Sequence, residues 1–162
     1  MYDIAATSRL DGLSLAEYVS VLPTDRVRLR VLARYAVDVP VDILAAAFDD
    51  DRARLVAMQR SLRSRGRSHP SEVPAALREF ATDSSRIAAM GYAGCIELVR
   101  VLPQLMAAFD ADPFKLRCLL AFAPALRHTG ISSAAADLVE AAFSVPAYRG
   151  LAAEFMITYL RE

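Results

Sequence analysis

The chain has no tryptophan, one lysine (Lys115), two histidines, two cysteines and six glycines among its 162 residues. Each scarcity excludes something. Without tryptophan there is no Trp-x-x-Leu-Gly-x-x-Tyr frame, and a tetratricopeptide array is ruled out. Two cysteines, Cys95 and Cys118, are too few for a disulfide framework and form no C-x-x-C pair. They read as reduced thiols, each a small hydrophobe in an apolar helical run. His69 and His128 have no Cys or Glu at metal-ligand spacing, so no metal is expected; "ALRHTG" places His128 at a helix C-terminus with Gly130 as its stop. G-x-S-x-G, H-E-x-x-H, P-loop and dinucleotide glycine patterns are absent, which predicts no catalytic residue and no cofactor. "GYAGC", Gly91 to Cys95, reads as a kink or a close helix contact.

Charge of one sign is lacking too. Nineteen basic and nineteen acidic side chains cancel, so no global field draws the chain to nucleic acid or an anionic membrane. The first residues, "MYDIAATSRLDG", carry no apolar signal core, and no run approaches the ~18 to 20 apolar residues of a membrane span. The expected location is intracellular, cytoplasmic or nuclear, with no membrane partner.

What is present is helical. The 55% hydrophobic content suits one folded domain, and alanine, leucine and arginine dominate at helical rather than alternating spacing. Ser14-Leu-Ala-Glu17 has the form of a capping box, and Asp112-Pro113 that of a helix start, with aspartate accepting orphan amides and proline lacking the one that would go unpaired.

The start at Asp112 belongs to a repeat. Leu22-Pro-Thr-Asp25-Arg-Val-Arg28-Leu29, Phe48-Asp-Asp-Asp51-Arg-Ala-Arg54-Leu55, Phe80-Ala-Thr-Asp83-Ser-Ser-Arg86-Ile87 and Phe109-Asp-Ala-Asp112-Pro-Phe-Lys115-Leu116 share one frame. A fifth copy, Phe143-Ser-Val-Pro146-Ala-Tyr-Arg149-Gly150, keeps the aromatic and the base but has no aspartate. Each copy follows a short helical run, so the predicted unit is a helix pair. The frame has a reading that needs no ligand. The large apolar residue closes one helix, the aspartate caps the next, and the base three residues on pairs with the aspartate, an interaction worth a few tenths of a kcal/mol when exposed.

Phe-x-x-Asp-x-x-Arg/Lys-Leu followed by an apolar helix, most fully in "AAFDADPFKLRCLLAFAPAL" (Ala107 to Leu126), resembles the domain-of-unknown-function 4476 family. The resemblance covers most of Leu22 to Tyr159. It implies a small all-helical bundle and protein-protein contact, and no reaction.

The predicted fold is therefore all-α: about five consecutive helix pairs in one domain, 1–162, forming a short helical-repeat solenoid or compact bundle. Between the second and third copies "QRSLRSRGRSHPSEVP" reads as a helix end fraying into a flexible basic connector at about 63–71. Arg60, Arg63, Arg65 and Arg67 are its candidate binding residues, and Ser61, Ser64 and Ser68 its candidate phosphorylation sites. Three uses stay open for it: a solvated linker, a protein or phospho-regulated contact, or phosphate binding on nucleic acid. "FDDDR", Asp49 to Asp51, lacks the spacing of a calcium loop and reads as helix capping. Phe155, Met156 and Tyr159 are expected to cap the array or dock onto another chain. As function these features point to a non-catalytic adaptor or scaffold module that binds other proteins, with a nucleic-acid-associated protein using Arg60 to Arg67 as the alternative.

Overall fold

Alanine- and leucine-rich segments with few β-branched runs lose little side-chain entropy on coiling, and helix is the only regular structure among the described residues. The structure, a computed structural model, describes residues 12–35, 37–66, 69–93, 96–129 and 133–160. The chain divides into two compact units, Met1–Ala93 and Gly94–Glu162.

The first unit holds α1 (Gly12–Ser20), α2 (Asp25–Leu32), α3 (Val41–Ala46), α4 (Asp51–Arg65), α5 (Glu72–Arg78) and α6 (Asp83–Ala93). Short α3 is its hub, packing against both α4 and α5 while α4 also meets α2 and α6. Val19, Leu32, Val39, Leu44, Phe48 and Ala57 are sealed in its core. The second unit begins with a 3₁₀ helix, Ile96–Val101, followed by α7 (Leu102–Met106), α8 (Asp112–Ala121), α9 (Ala123–Thr129), α10 (Ser133–Ala141) and α11 (Pro146–Leu160). There α11 packs on α8, α9 and α10, and α10 on α7, around Leu105, Met106, Phe109, Leu119, Phe143 and Met156.

All five copies of the repeated frame sit at the turn between two helices. In each, the N–H of the first residue donates to the carbonyl three residues earlier, closing the preceding helix with one tight turn: Leu22 to Val19, Phe48 to Ala45, Phe80 to Leu77, Phe109 to Met106, Phe143 to Glu140. The four phenylalanines are buried, each removing a large apolar side chain from water for about 2 to 3 kcal/mol. In each, too, the fourth residue is the first of the next helix: Asp25, Asp51, Asp83, Asp112 and Pro146. The helix pairs anticipated from the sequence are present, with α9 and the 3₁₀ helix additional to them.

Three local expectations change. Ser14 lies inside α1, Gly12–Ser20, two residues after its first described position. Helix α4 does not fray but runs through Arg65 and stops at Gly66, whose φ of 75° is the left-handed cap that glycine adopts at least cost, its N–H donating to Leu62 at 2.8 Å. Gly91 meets no neighbour: α6 continues past it to Ala93, and a Cβ there would have nothing within 4 Å, while Gly94 and Cys95 lie outside the described residues.

Candidate functional site

Backbone amides between two helices belong to no helical ladder and need an acceptor from elsewhere. The sequence assigns the motif aspartate to the amides of its own helix. The structure corrects this. The local cap is one residue earlier: Thr24 accepts from the Val27 N–H (3.4 Å), Asp50 from Ala53 (3.1 Å) and Thr82 from Ser85 (3.2 Å). The aspartate instead reaches the turn of the following copy. Asp25 accepts from the N–H groups of Asp49 (3.1 Å) and Asp50 (2.8 Å), Asp51 from Ala81 (2.9 Å) and Thr82 (3.3 Å), and Asp112 from Ser144 (3.2 Å) and Val145 (2.6 Å). In all three cases the donors are the two residues after the motif's first position. One copy's carboxylate thus holds the next copy's turn.

In the four copies whose base is arginine, the base faces the other way. Arg28 donates to the carbonyls of Leu22 (3.0 Å) and Ser20 (3.2 Å), Arg86 twice to Phe80 (3.1 and 2.9 Å), and Arg149 to Phe143 (2.9 Å), so the guanidinium satisfies carbonyls at the end of the preceding helix or in its own turn just after it. Arg54 reaches Ala45 in the same role, whereas Lys115 reaches forward to Ala142. The i,i+3 pairs foreseen from the sequence all form: Arg28–Asp25 (2.8 Å), Arg54–Asp51 (3.0 Å), Arg86–Asp83 (2.7 Å) and Lys115–Asp112 (3.2 Å). They are largely shielded from water, so removing one partner strands the other and costs more than at an exposed pair. The series carries proline at both ends. Pro23 has no N–H for an earlier carboxylate to hold, and Pro146 has no carboxylate to offer a later turn.

The three consecutive aspartates point to three different partners. Asp49 pairs with Arg28 at 2.8 Å, Asp50 caps α4, and Asp51 holds the third copy's turn. No group of three or more metal-ligating side chains converges among the described residues.

The hydrogen bonds set the carboxyl pKa values. Burial would raise Asp51, but the Ala81 and Thr82 N–H groups, Ser85 and Arg54 together hold it below the ordinary 3.8. Burial likewise opposes, and Arg65 with the Val41 N–H outweighs it to lower, Glu72 from 4.5. The Val145 N–H is the main cause of lowering at Asp112, with Ser144 and Lys115 adding to it. A carboxyl depressed in the folded state stabilises fully above its unfolded pKa and loses that contribution as pH falls through the folded one. The thermal midpoint is therefore expected to stay level between about pH 7 and 5 and to fall increasingly below about 4.5. Circular-dichroism melts across that range test this, and the fall should be shallower in Asp51→Asn and Glu72→Gln. Equal slopes in all three proteins would contradict it.

Of the predicted connector at about 63–71, residues 63–65 belong to α4 and Gly66 caps it. Arg60, Ser61, Arg63, Ser64 and Arg65 lie in α4; Arg67 and Ser68 lie outside the described residues. Ser61 is fully buried and its hydroxyl donates to the Val39 carbonyl, so no kinase reaches it in this fold. Arg65 is structural: it forms two bonds with Glu72 (2.6 and 2.9 Å), clasping the end of α4 to the start of α5, and lies 3.6 Å from Asp38. Arg60 and Arg63 have no acidic partner among the described residues. They border a cleft of ≈ 300 Å³ walled by Leu32, Tyr35 and Val37, with Ser64 on the rim. Arg63 also borders a second cleft of ≈ 340 Å³ beside Tyr92. Ser64 and Arg63 are exposed and Arg60 is partly so.

A third cleft, ≈ 320 Å³, lies in the second unit between α8 and α11. Leu116 and Leu120 stand one turn apart on α8; Leu151, Phe155 and Tyr159 follow at successive turns of α11. Leu120 is 48% and Leu151 52% exposed, while Met156 is turned into the core. The Phe155 and Tyr159 rings are 4.4 Å apart, and the Arg127 guanidinium lies 4.9 Å from the centre of the Tyr159 ring. Of the C-terminal residues named from the sequence, Phe155 and Tyr159 line this cleft and Met156 does not. Leu116, Leu120 and Leu151 were missed. Their signal was available, because "PAYRGLAAEFMITYL" is apolar on more of its circumference than one buried stripe requires.

Cys118 is sealed in the core, where burial pushes its thiol up to about 12, a protonated and unreactive state. Cys95 lies outside the described residues. The His69 ring is hydrogen-bonded to the Ser71 hydroxyl at 2.7 Å. No helix among the described residues is long and apolar enough to cross a membrane. No family model, curated protein or solved structure matches the chain.

Proposed function

We propose that this chain is a non-catalytic adaptor or scaffold domain, built from helix-pair repeats, whose partner is another protein. The observation that carries the reading is the apolar face of α8 and α11, where Leu120, Leu151, Phe155 and Tyr159 border one cleft. Large apolar side chains gathered in this way mark a surface that another molecule covers. The conspicuous polar residues support the same reading, since the motif acids and bases are occupied with turn amides and helix-end carbonyls. Affiliation with the domain-of-unknown-function 4476 family and an intracellular location belong to the same proposal.

Arg60 and Arg63, which have no acidic partner among the described residues, favour the second reading, contact with nucleic acid, to the extent that two guanidiniums attract phosphate. The arginine cluster that suggested it is reduced, because Arg65 is committed to Glu72. The test is cross-linked capture from native lysate with the tagged chain, beside a Leu120→Asp/Leu151→Asp double variant, each with and without nuclease. The adaptor reading expects protein partners that withstand nuclease and disappear with the double variant, whose exposed substitutions change stability by only about 0.5 kcal/mol each. Capture abolished by nuclease would transfer the function to nucleic acid. Capture unaffected by the double variant would remove the α8–α11 face from it.

A further inference from the structure

We infer that the cleft bordered by Arg60 and Arg63 is a docking site for an acidic segment of a partner protein, one in which acidic and apolar residues alternate. The site uses residues other than those of the α8–α11 face, and stands or falls independently of it. The argument is charge complementarity. Among the described residues no carboxylate lines this cleft or the adjoining one that shares Arg63. The neighbouring Arg65 shows what α4 does with a structural arginine: its guanidinium is held by Glu72, and Asp38 is nearby. Arg60 and Arg63 have no such restraint and keep their donors for an incoming anion.

The geometry selects a peptide. Arg60 and Arg63 are one helical turn apart, which puts their Cβ atoms about 5 to 6 Å from each other. Side chains on one edge of an extended segment recur every ~7 Å, so carboxylates two residues apart meet both guanidiniums. The intervening side chains face the other way, and the partly exposed Tyr35 ring with exposed Ala33 gives alternate positions something to pack on, Leu32 and Val37 being sealed beneath them. Arginine suits this better than lysine would, since its fork binds a carboxylate through two parallel hydrogen bonds. A nucleic acid strand needs a longer basic track than this pair, and neither Arg26 nor Arg52, both exposed, lines the cleft to follow a phosphate backbone.

The experiment measures fluorescence polarisation of a fluorescein-labelled peptide of alternating glutamate and leucine, titrated with the full chain. A glutamine-leucine peptide and a labelled single-stranded oligonucleotide serve as competing probes. Variants are Arg60→Ser/Arg63→Ser and, as a control for general charge, Arg26→Ser/Arg52→Ser. The acidic peptide should bind, weaken about tenfold or more in the Arg60/Arg63 variant, change little in the control, and weaken with added salt. The Arg60/Arg63 variant should keep the wild-type thermal midpoint, as neither guanidinium has a partner to lose, so a binding loss is not a folding loss. The inference is overturned if the acidic peptide fails to bind, if the glutamine peptide binds equally, or if both double variants lose binding alike. It is overturned as well if the oligonucleotide binds more tightly and is the probe that depends on Arg60 and Arg63.

Discussion

Replacing Arg86 by alanine should be the most damaging single substitution in the repeated turns, lowering unfolding stability by roughly 3 to 5 kcal/mol. The guanidinium is buried, and it makes two hydrogen bonds to the Phe80 carbonyl and one to Asp83, itself nearly inaccessible. Alanine removes the donors without removing the groups that require them. The Phe80 carbonyl in the turn after α5 loses both of these donors, and the Asp83 carboxylate loses its cationic neighbour in a low-dielectric setting. At an m-value of roughly 2 kcal/mol/M the urea midpoint should fall by about 2 M. Arg86→Lys separates charge from geometry. Lys115 shows that an ammonium can serve such a turn, reaching one carboxylate and one carbonyl, but it cannot make the paired contact that Arg86 makes with Phe80. The lysine variant should therefore recover about half of the loss. A midpoint for Arg86→Ala within about 0.5 kcal/mol of wild type would show these bonds to be incidental.

The architecture was legible because it is written locally. Helical periodicity, the recurrent aromatic, and an acid followed three residues later by a base each act within a turn or two. All five predicted turns fall where the frame places them, and every second helix begins at its fourth position. The direction of the aspartates was not legible. An aspartate at a helix start has an obvious local use, and nothing in a single copy reveals that the amides it serves lie 24 to 33 residues further on. The two prolines were the available clue. Aspartate is missing from the copy that no later copy follows in this sequence, and an amide is missing from the copy that none precedes. The basic connector misled for a related reason. Arginine, serine and glycine in close order resemble a solvated linker by composition, but Glu72 lies across the loop from Arg65 and Val39 presents a carbonyl to Ser61, both contacts made by folding. The α8–α11 cleft needed tertiary structure as well, since the sequence does not disclose which apolar face of α11 remains uncovered.

The consecutive aspartates allow the division of labour to be read from three mutants, whose costs should rise in the order Asp49, Asp50, Asp51. Asp49→Ala removes a side chain 82% exposed whose partner Arg28 retains Asp25, the two carbonyls and its burial; a few tenths of a kcal/mol is expected. Asp50→Ala removes the cap of α4, a bond to the Ala53 N–H at 3.1 Å, for about 1 kcal/mol. Asp51→Ala should cost roughly 2 to 4 kcal/mol, because it leaves Arg54 without its carboxylate and takes the acceptor from the Ala81 and Thr82 amides thirty residues away. Asp51→Asn keeps an oxygen for those amides while surrendering the charge, and should fall between the last two. Hydrogen exchange provides the sharper reading. If Asp51 acts on the following copy, its loss should accelerate exchange at Ala81 and Thr82 before it affects the first turn of its own helix, where Asp50 still caps. Exchange that instead speeds up only at residues 51–54, or three alanine variants of equal cost, would return the motif aspartate to the local capping role that its position in the sequence suggests.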